Sequence, residues 1–258
     1  MDRERRNTQN SLMSRILLGM FALAISVALP IQAHSRKEVV IRVGLLQQDY
    51  PPLFWIEEDK GIVKDILKAV SENSRFRFEF SYYPFNRLIN KVVSNELDME
   101  TWTSPVWRTK YKQHTYFTNP ISEHCEVTVF RKGEAIKASS PAVFIGKRIG
   151  VVQNFTFPIF EPFFDEGSIH RADASNEQGV LKMLAHKRTD LALMDQTVFE
   201  HLASNDPQDI FEIGSLFDCV PVSFMLNINQ EQHGKEIDTV LQKLKRKGII
   251  DKIINNYQ

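Results

Sequence analysis

The residues of this chain best suited to chemistry gather just beyond its apolar runs: Asp49, Tyr50, Phe85, Thr101, Thr103, Arg108, Asn154, Thr156 and Asp195. Between them they offer hydroxyl and amide groups, one guanidinium, carboxylates and aromatic faces. A guanidinium presents two parallel donors that match a carboxylate, one of the stronger directional hydrogen-bond arrangements. An aspartate opposite it supplies the other charge, and aromatic rings cover the apolar part of a small molecule. Such a set grips a small polar molecule. The chain has no nucleophile elbow, P-loop, dinucleotide-binding glycines or metal-binding helix. His34, His114, His124, His170, His186, His201 and His233 are scattered without ligand spacing, so neither a metal nor another cofactor is expected.

Each candidate also has a plainer use. Arg108 suits a surface position, Asp195 suits the cap of a helix beginning at Gln196, and Tyr50 and Phe85 suit a core. Capping and ligand contact are compatible at Asp195. Glu100 beside Thr101 is expected to face away from Thr101 and Thr103 on an alternating strand, either against helices or in a salt link.

The elements that must position these residues alternate along the chain. A continuous apolar run over 39–46 predicts a buried strand ending at the turn Asp49-Tyr50-Pro51-Pro52. Ile62, Val63, Ile66, Leu67 and Val70 recur at helical spacing after Gly61, and Phe76, Phe78, Phe80 and Tyr82 alternate with polar residues as a half-buried strand does. A helix over 86–94 and a strand over 99–102 complete a βαβαβ unit. A second unit has strands over 126–130, 148–152 and 190–194 and helices over 158–164, 176–186 and 196–203. A strand over 222–227 and two terminal helices end the chain. Alternation of this kind implies parallel sheets covered by helices, with a binding crevice beyond the carboxyl ends of the strands.

The beginning of the chain reads differently. Arg3, Arg5, Arg6 and Arg15 precede an apolar run over 16–29, and Pro30-Ile31-Gln32-Ala33 forms a small-residue exit, the pattern of a secretory signal peptide over 1–33. A start at Met13 would give a more ordinary signal. Removing 1–33 takes away four basic and two acidic side chains, leaving 28 basic against 30 acidic, a net charge near −2. That balance excludes a nucleic-acid binder. The remaining length suits one large domain or two of about 100 residues. Cys125 and Cys219 are the only cysteines, and an oxidising compartment permits them to pair.

Seven segments, in order, carry a family resemblance. They are Tyr50-Pro51-Pro52-Leu53-Phe54, Gly61-Ile62-Val63-Lys64-Asp65-Ile66-Leu67, Asn95-Glu96-Leu97-Asp98, Thr103 with Arg108, Phe117-Thr118-Asn119-Pro120, Gly146-Lys147-Arg148-Ile149-Gly150-Val151, and Thr189-Asp190-Leu191-Ala192-Leu193-Met194-Asp195. Over about 39–257 the chain resembles the family 3 extracellular solute-binding proteins, polar amino-acid-binding components of ABC importers. The resemblance implies an α/β, two-lobed periplasmic-binding-protein-like (type II) fold, two doubly wound domains joined by two hinge crossings. Lobe 1 would comprise 37–121 and 222–258, lobe 2 would comprise 126–218, and the hinge 122–125 and 219–221. It also implies a periplasmic monomer with an inner-membrane ABC permease as partner, and an amino acid or small carboxylate as ligand.

By resemblance, Thr103 and Arg108 hold the ligand's carboxylate and Asp195 its ammonium. Asn154 and Thr156 line the second lobe, Thr101 stands where a glycine often lies, and Tyr50 and Phe85 cover the apolar part. Cys125 and Cys219, each preceding a hinge-crossing strand, are expected to form a disulfide. The chain departs from the family in lacking an acid before Arg108 and in carrying Phe155 and Phe157 in place of glycines, which narrows the cleft. Two competing functions share the fold: an exported cyclohexadienyl-dehydratase-like enzyme, with Glu100 or Asp195 as proton donor, and a ligand sensor without a transport role.

Overall fold

The structure, a computed structural model, describes residues 37–257; the expected signal peptide lies outside them. Among the described residues no helix is long and apolar enough to cross a membrane. The chain begins with strand β1 (Val39–Leu46), helix α1 (Ile62–Glu72), β2 (Phe76–Tyr83), α2 (Phe85–Val93) and β3 (Met99–Thr103). Short β4 (Thr115–Phe117) and long β5 (Ser122–Arg131) follow, then β6 (Arg148–Val152), α3 (Glu161–Asp165), β7 (His170–Ala174), α4 (Glu177–Ala185), β8 (Leu191–Asp195) and α5 (Gln196–Ser204). The long β9 (Phe211–Asn227) leads to α6 (Glu231–Arg246) and α7 (Ile249–Asn255).

The strands run in the order β2-β1-β3-β9-β5-β8-β6-β7, with β4 also on β9. The sheets are mixed rather than purely parallel. β1 pairs parallel with β2 and β3, and β6 parallel with β7 and β8. β9 runs antiparallel to β3 and β5, and β5 antiparallel to β8. The physical reason is that β5 and β9 carry the chain through the middle in opposite directions. Their ladder pairs Ser122 with Val222 and Cys125 with Cys219, and these two cysteines are bonded at a Cα separation of 4.1 Å.

Several segments depart from the sequence pattern. The helix expected over 158–164 is confined to Glu161–Asp165, because Pro162 has no N–H to donate back along a helix and is tolerated only in its first turn. β7, of sequence His-Arg-Ala-Asp-Ala, has no apolar alternation and exists through its pairing with β6. The part of β9 before Val222 is likewise half-exposed and held by β5.

The apolar stripe of α1 does bury Ile62, Val63, Ile66, Leu67 and Val70 in one core with β1 and with Ile237, Leu241, Leu244 and Ile250 of the terminal helices. The start of α1 has no side-chain cap. Its free N–H groups are taken instead by backbone: Ile62 donates to the Pro52 carbonyl at 3.0 Å and Val63 to that of Leu53 at 2.9 Å. This brings the loop carrying Tyr50 against the helix, and Gly61 is what permits it. Gly61 sits at φ 119°, and a Cβ there would lie 2.5 Å from both the Leu53 oxygen and the Phe54 Cα.

Gly61→Ala should therefore cost more than the ~1 kcal/mol at which compatible glycine sites are affected, about 2 kcal/mol or more, because backbone on both sides must move. Urea unfolding of the two proteins measures it; an unchanged midpoint would contradict the close approach.

Candidate functional site

β3 does not alternate cleanly, and the site begins with that irregularity. Glu100 pairs with Met225 of β9 and Thr103 with Ser223, so three steps on β3 face two on β9, and Trp102 between them adopts φ 51°. This is a β-bulge, a device that re-aims side chains near sites. Glu100, Thr101 and Trp102 consequently all border one cavity, correcting the expectation that Glu100 turns away from Thr101, while the salt link expected of Glu100 is present. The next residues fold back, with Trp107 N–H donating to the Ser104 carbonyl and Arg108 N–H to that of Pro105. Arg108 thereby returns to Glu100 and meets it twice: Nη2 to Oε1 at 2.5 Å and Nε to Oε2 at 3.1 Å. Both side chains are buried. Burial by itself would lower the Arg108 pKa, and the charge and hydrogen bonds of Glu100 more than reverse it, so the guanidinium is held charged. The Phe85 ring lies 5.1 Å from the Arg108 Cζ, a cation–π contact.

These groups border one cavity. Tyr50, Phe54, Phe85, Trp107, Phe155 and Phe157 give it aromatic walls, and Thr101, Thr156, Glu100, Arg108, His124 and Glu126 are its polar groups. The Phe155 ring, from the turn after β6, reaches Tyr50 at 6.1 Å and Phe85 at 5.6 Å. Asn86 donates to Asn154 across the same seam at 3.4 Å. Residues after β1, β2 and β3 therefore meet residues after β6 around one enclosed space.

Of the residues singled out in the sequence, Tyr50, Phe85, Thr101, Arg108 and Thr156 border the cavity, while Thr103, Asn154 and Asp195 do not. Thr103 is buried behind the wall, its hydroxyl without a partner among the described residues. Asp195 is occupied twice: Oδ1 accepts the Val198 N–H at 2.9 Å, capping α5, and Oδ2 lies 2.9 Å from His124 Nδ1. Burial acts to lower the His124 pKa, but the charge and hydrogen bond of Asp195 raise it above the ordinary value. The Trp107 ring packs edge-on against His124, centroids 4.9 Å apart.

Trp107, His124, Glu126 and Glu177 were not among the sequence candidates. His124 and Glu126 lie two residues apart on β5, on the same face, and this pairing of charges within a buried apolar strand was the available signal. Glu126 is 3% exposed, and its Oε2 has no hydrogen-bond partner among the described residues. Burial pushes its carboxyl up to about 7, against a smaller downward pull from His124. Glu177, at the start of α4, is pushed up to about 7, again chiefly by burial. Tyr50 is driven well above its usual range by burial and then by the charges of Glu177 and Asp195.

The sequence model of the bacterial extracellular solute-binding proteins, family 3, matches residues 41–258. A probable histidine-binding protein of Neisseria gonorrhoeae is 23% identical over 203 residues, which are 77% of this chain and 74% of that protein. An ancestral arginine-binding protein, solved with arginine bound, superposes with a TM-score of 0.72 at 21% identity, over 84% of this chain and 97% of the other. A periplasmic binding protein of an arginine transport system from Legionella pneumophila does so with a TM-score of 0.70 at 18% identity, over 86% and 100%. At such identities the likeness is one of fold, the type II periplasmic-binding-protein architecture.

Glu126 and Glu177 bind protons more tightly folded than unfolded, so their contribution to stability is present below the unfolded pKa near 4.5 and lost as pH rises through about 7. His124, also raised, acts in the same direction from its ordinary value upward. The ligand-free protein should therefore lose stability from pH 5 to pH 8, and Glu126→Gln should remove about 3 kcal/mol of that loss, at ~1.4 kcal/mol per unit of pKa. Denaturation at a series of pH values measures it; parallel curves for the two proteins would contradict the assignment.

Proposed function

We propose, from the premise that this chain belongs to the bacterial extracellular solute-binding proteins of family 3, that it closes two lobes over an amino acid or related small carboxylate and delivers it from the periplasm to an inner-membrane ABC permease. The lobes are 37–121 with 222–258, and 126–218, turning about 122–125 and 219–221. One observation carries this: Phe155 from one half and Tyr50 and Phe85 from the other wall the same cavity. A solute seated there touches both halves at once. It therefore binds the closed state better than the open one and shifts the population toward closure, which is what a permease has to detect.

Tyr50, Phe85, Thr101, Arg108 and Thr156 contact the solute in this reading, while Thr103, Asn154 and Asp195 support the wall. The chain acts as a receptor rather than as a dehydratase. Glu100 and Asp195, the two acids the sequence offers as proton donors, each face a basic side chain, Arg108 and His124. Incubation with prephenate or arogenate is expected to leave both compounds unchanged.

Calorimetric titration with amino acids and small carboxylates should find at least one that binds, and small-angle scattering should show the protein becoming more compact with it. Phe155→Ala, which removes an aromatic wall shared by both halves, should weaken that binding about tenfold or more, as loss of a buried aromatic anchor does. Failure of every amino acid and small carboxylate to bind would contradict the proposal, and so would an unaffected Phe155→Ala.

A further inference from the structure

The charges around the cavity do not balance, and the imbalance names a ligand group. Two basic side chains border it, Arg108 and His124, and each is matched: Arg108 by both oxygens of Glu100, His124 by Asp195. Glu126 is the carboxylate left over. It borders the same space, is buried, and has an oxygen without any partner among the described residues. Leaving a buried acceptor unsatisfied is costly, and a ligand that satisfies it recovers that cost on binding. The same cavity is lined by aromatic side chains, Trp107 and Phe155 among them, and aromatic faces attract a cation through their quadrupoles.

We infer that Glu126 is the residue that receives the cationic end of the solute, and that the site selects an organic ammonium with an apolar body, for which a carboxylate is secondary. This rests on the amino-acid-receptor reading and deepens it. Asp195, the acid to which resemblance gives the ammonium, is already committed to the α5 cap and to His124. Arg108, to which resemblance gives the carboxylate, already spends Nε and Nη2 on Glu100. An incoming carboxylate has to compete with Glu100 for those donors, whereas an incoming ammonium meets a free oxygen. The ammonium N–H groups donate to Glu126 Oε2, and the apolar body lies along Tyr50, Phe85 and Phe155.

Matched probes separate the two ends. Calorimetry on the protein would use L-phenylalanine, L-histidine and L-arginine, their decarboxylated amines phenethylamine, histamine and agmatine, and the acids lacking the α-amino group, 3-phenylpropionate, imidazolepropionate and 5-guanidinopentanoate. At least one amine should bind as tightly as its amino acid or more so, with the deaminated acid weaker than both. Glu126→Gln should weaken that amine about thirtyfold or more, the loss typical of removing one partner of a buried charge pair. That variant keeps the side-chain shape, and a melting temperature no lower than the parent's at pH 8 shows it to be folded. If an amino acid and its deaminated acid bind while the amine does not, the cation site is overturned and the amino-acid receptor stands. An amine that binds Glu126→Gln as well as the parent overturns the site too. If none of the nine probes binds, the cation site is overturned, and the receptor reading falls only if the wider titration with amino acids and small carboxylates also finds no binder.

Discussion

Charge taken out of water has to be matched by charge, and the interior of this cleft is arranged around that constraint. The cost of an isolated buried ion is several kcal/mol even after relaxation, and a pair recovers it only with good geometry. Arg108 and Glu100 meet through two hydrogen bonds, and Asp195 divides its oxygens between His124 and the start of α5. The first pair ties the fold-back after β3 to β3 itself, and the second ties β5 to the β8–α5 junction. Arg108 and Asp195, to which resemblance gives the two ends of the ligand, are thereby each engaged by a protein partner. The cavity presents aromatic surface, Thr101, Thr156, the paired Arg108, and Glu126, whose Oε2 has no partner among the described residues.

The β5–β9 ladder is the frame on which this matching depends. It runs through the middle of the molecule, and its two strands belong to both halves. Cys125 and Cys219 lock its register by joining residues 94 positions apart. Side chains on a strand alternate between faces, so the disulfide occupies the face opposite His124 and Glu126. One face of the ladder is covalently fixed while the other presents charge to the cavity. In the proposed closure, the halves turn about this ladder and change what covers His124 and Glu126 while their register, set by the β5–β9 pairing, stays fixed.

The main elements were legible in the sequence because they bury apolar stripes of regular period. The run over 39–46, the helical face from Ile62 to Val70 and the alternating aromatics from Phe76 to Tyr82 each appear as read. β7 and the first half of β9 were not legible, since neither has a buried face of its own and each is held by a neighbour's backbone. The site divides in the same way. Tyr50, Phe85, Thr101, Arg108 and Thr156 could be found because they follow strands, where crevices form. The cap at Asp195 and a salt link at Glu100 were legible too, but that Arg108 meets Glu100 and that His124 meets Asp195 were not. The first depends on a bulge that no residue type announces, and the second on which residue of β5 lies against the end of β8. Glu126 owes its importance to the cations having other partners, which only the assembled cleft reveals.

Glu126 is a buried acid whose Oε2 has no hydrogen-bond partner among the described residues, and the most direct measurement is its own titration, followed by carbon-13 NMR of the side-chain carboxyl in the ligand-free protein. The account predicts a midpoint near 7, moving well down when an ammonium compound occupies the cavity. A midpoint in the ordinary carboxylate range that does not respond to such a compound would mean that water or another side chain already satisfies Glu126, and would contradict the account.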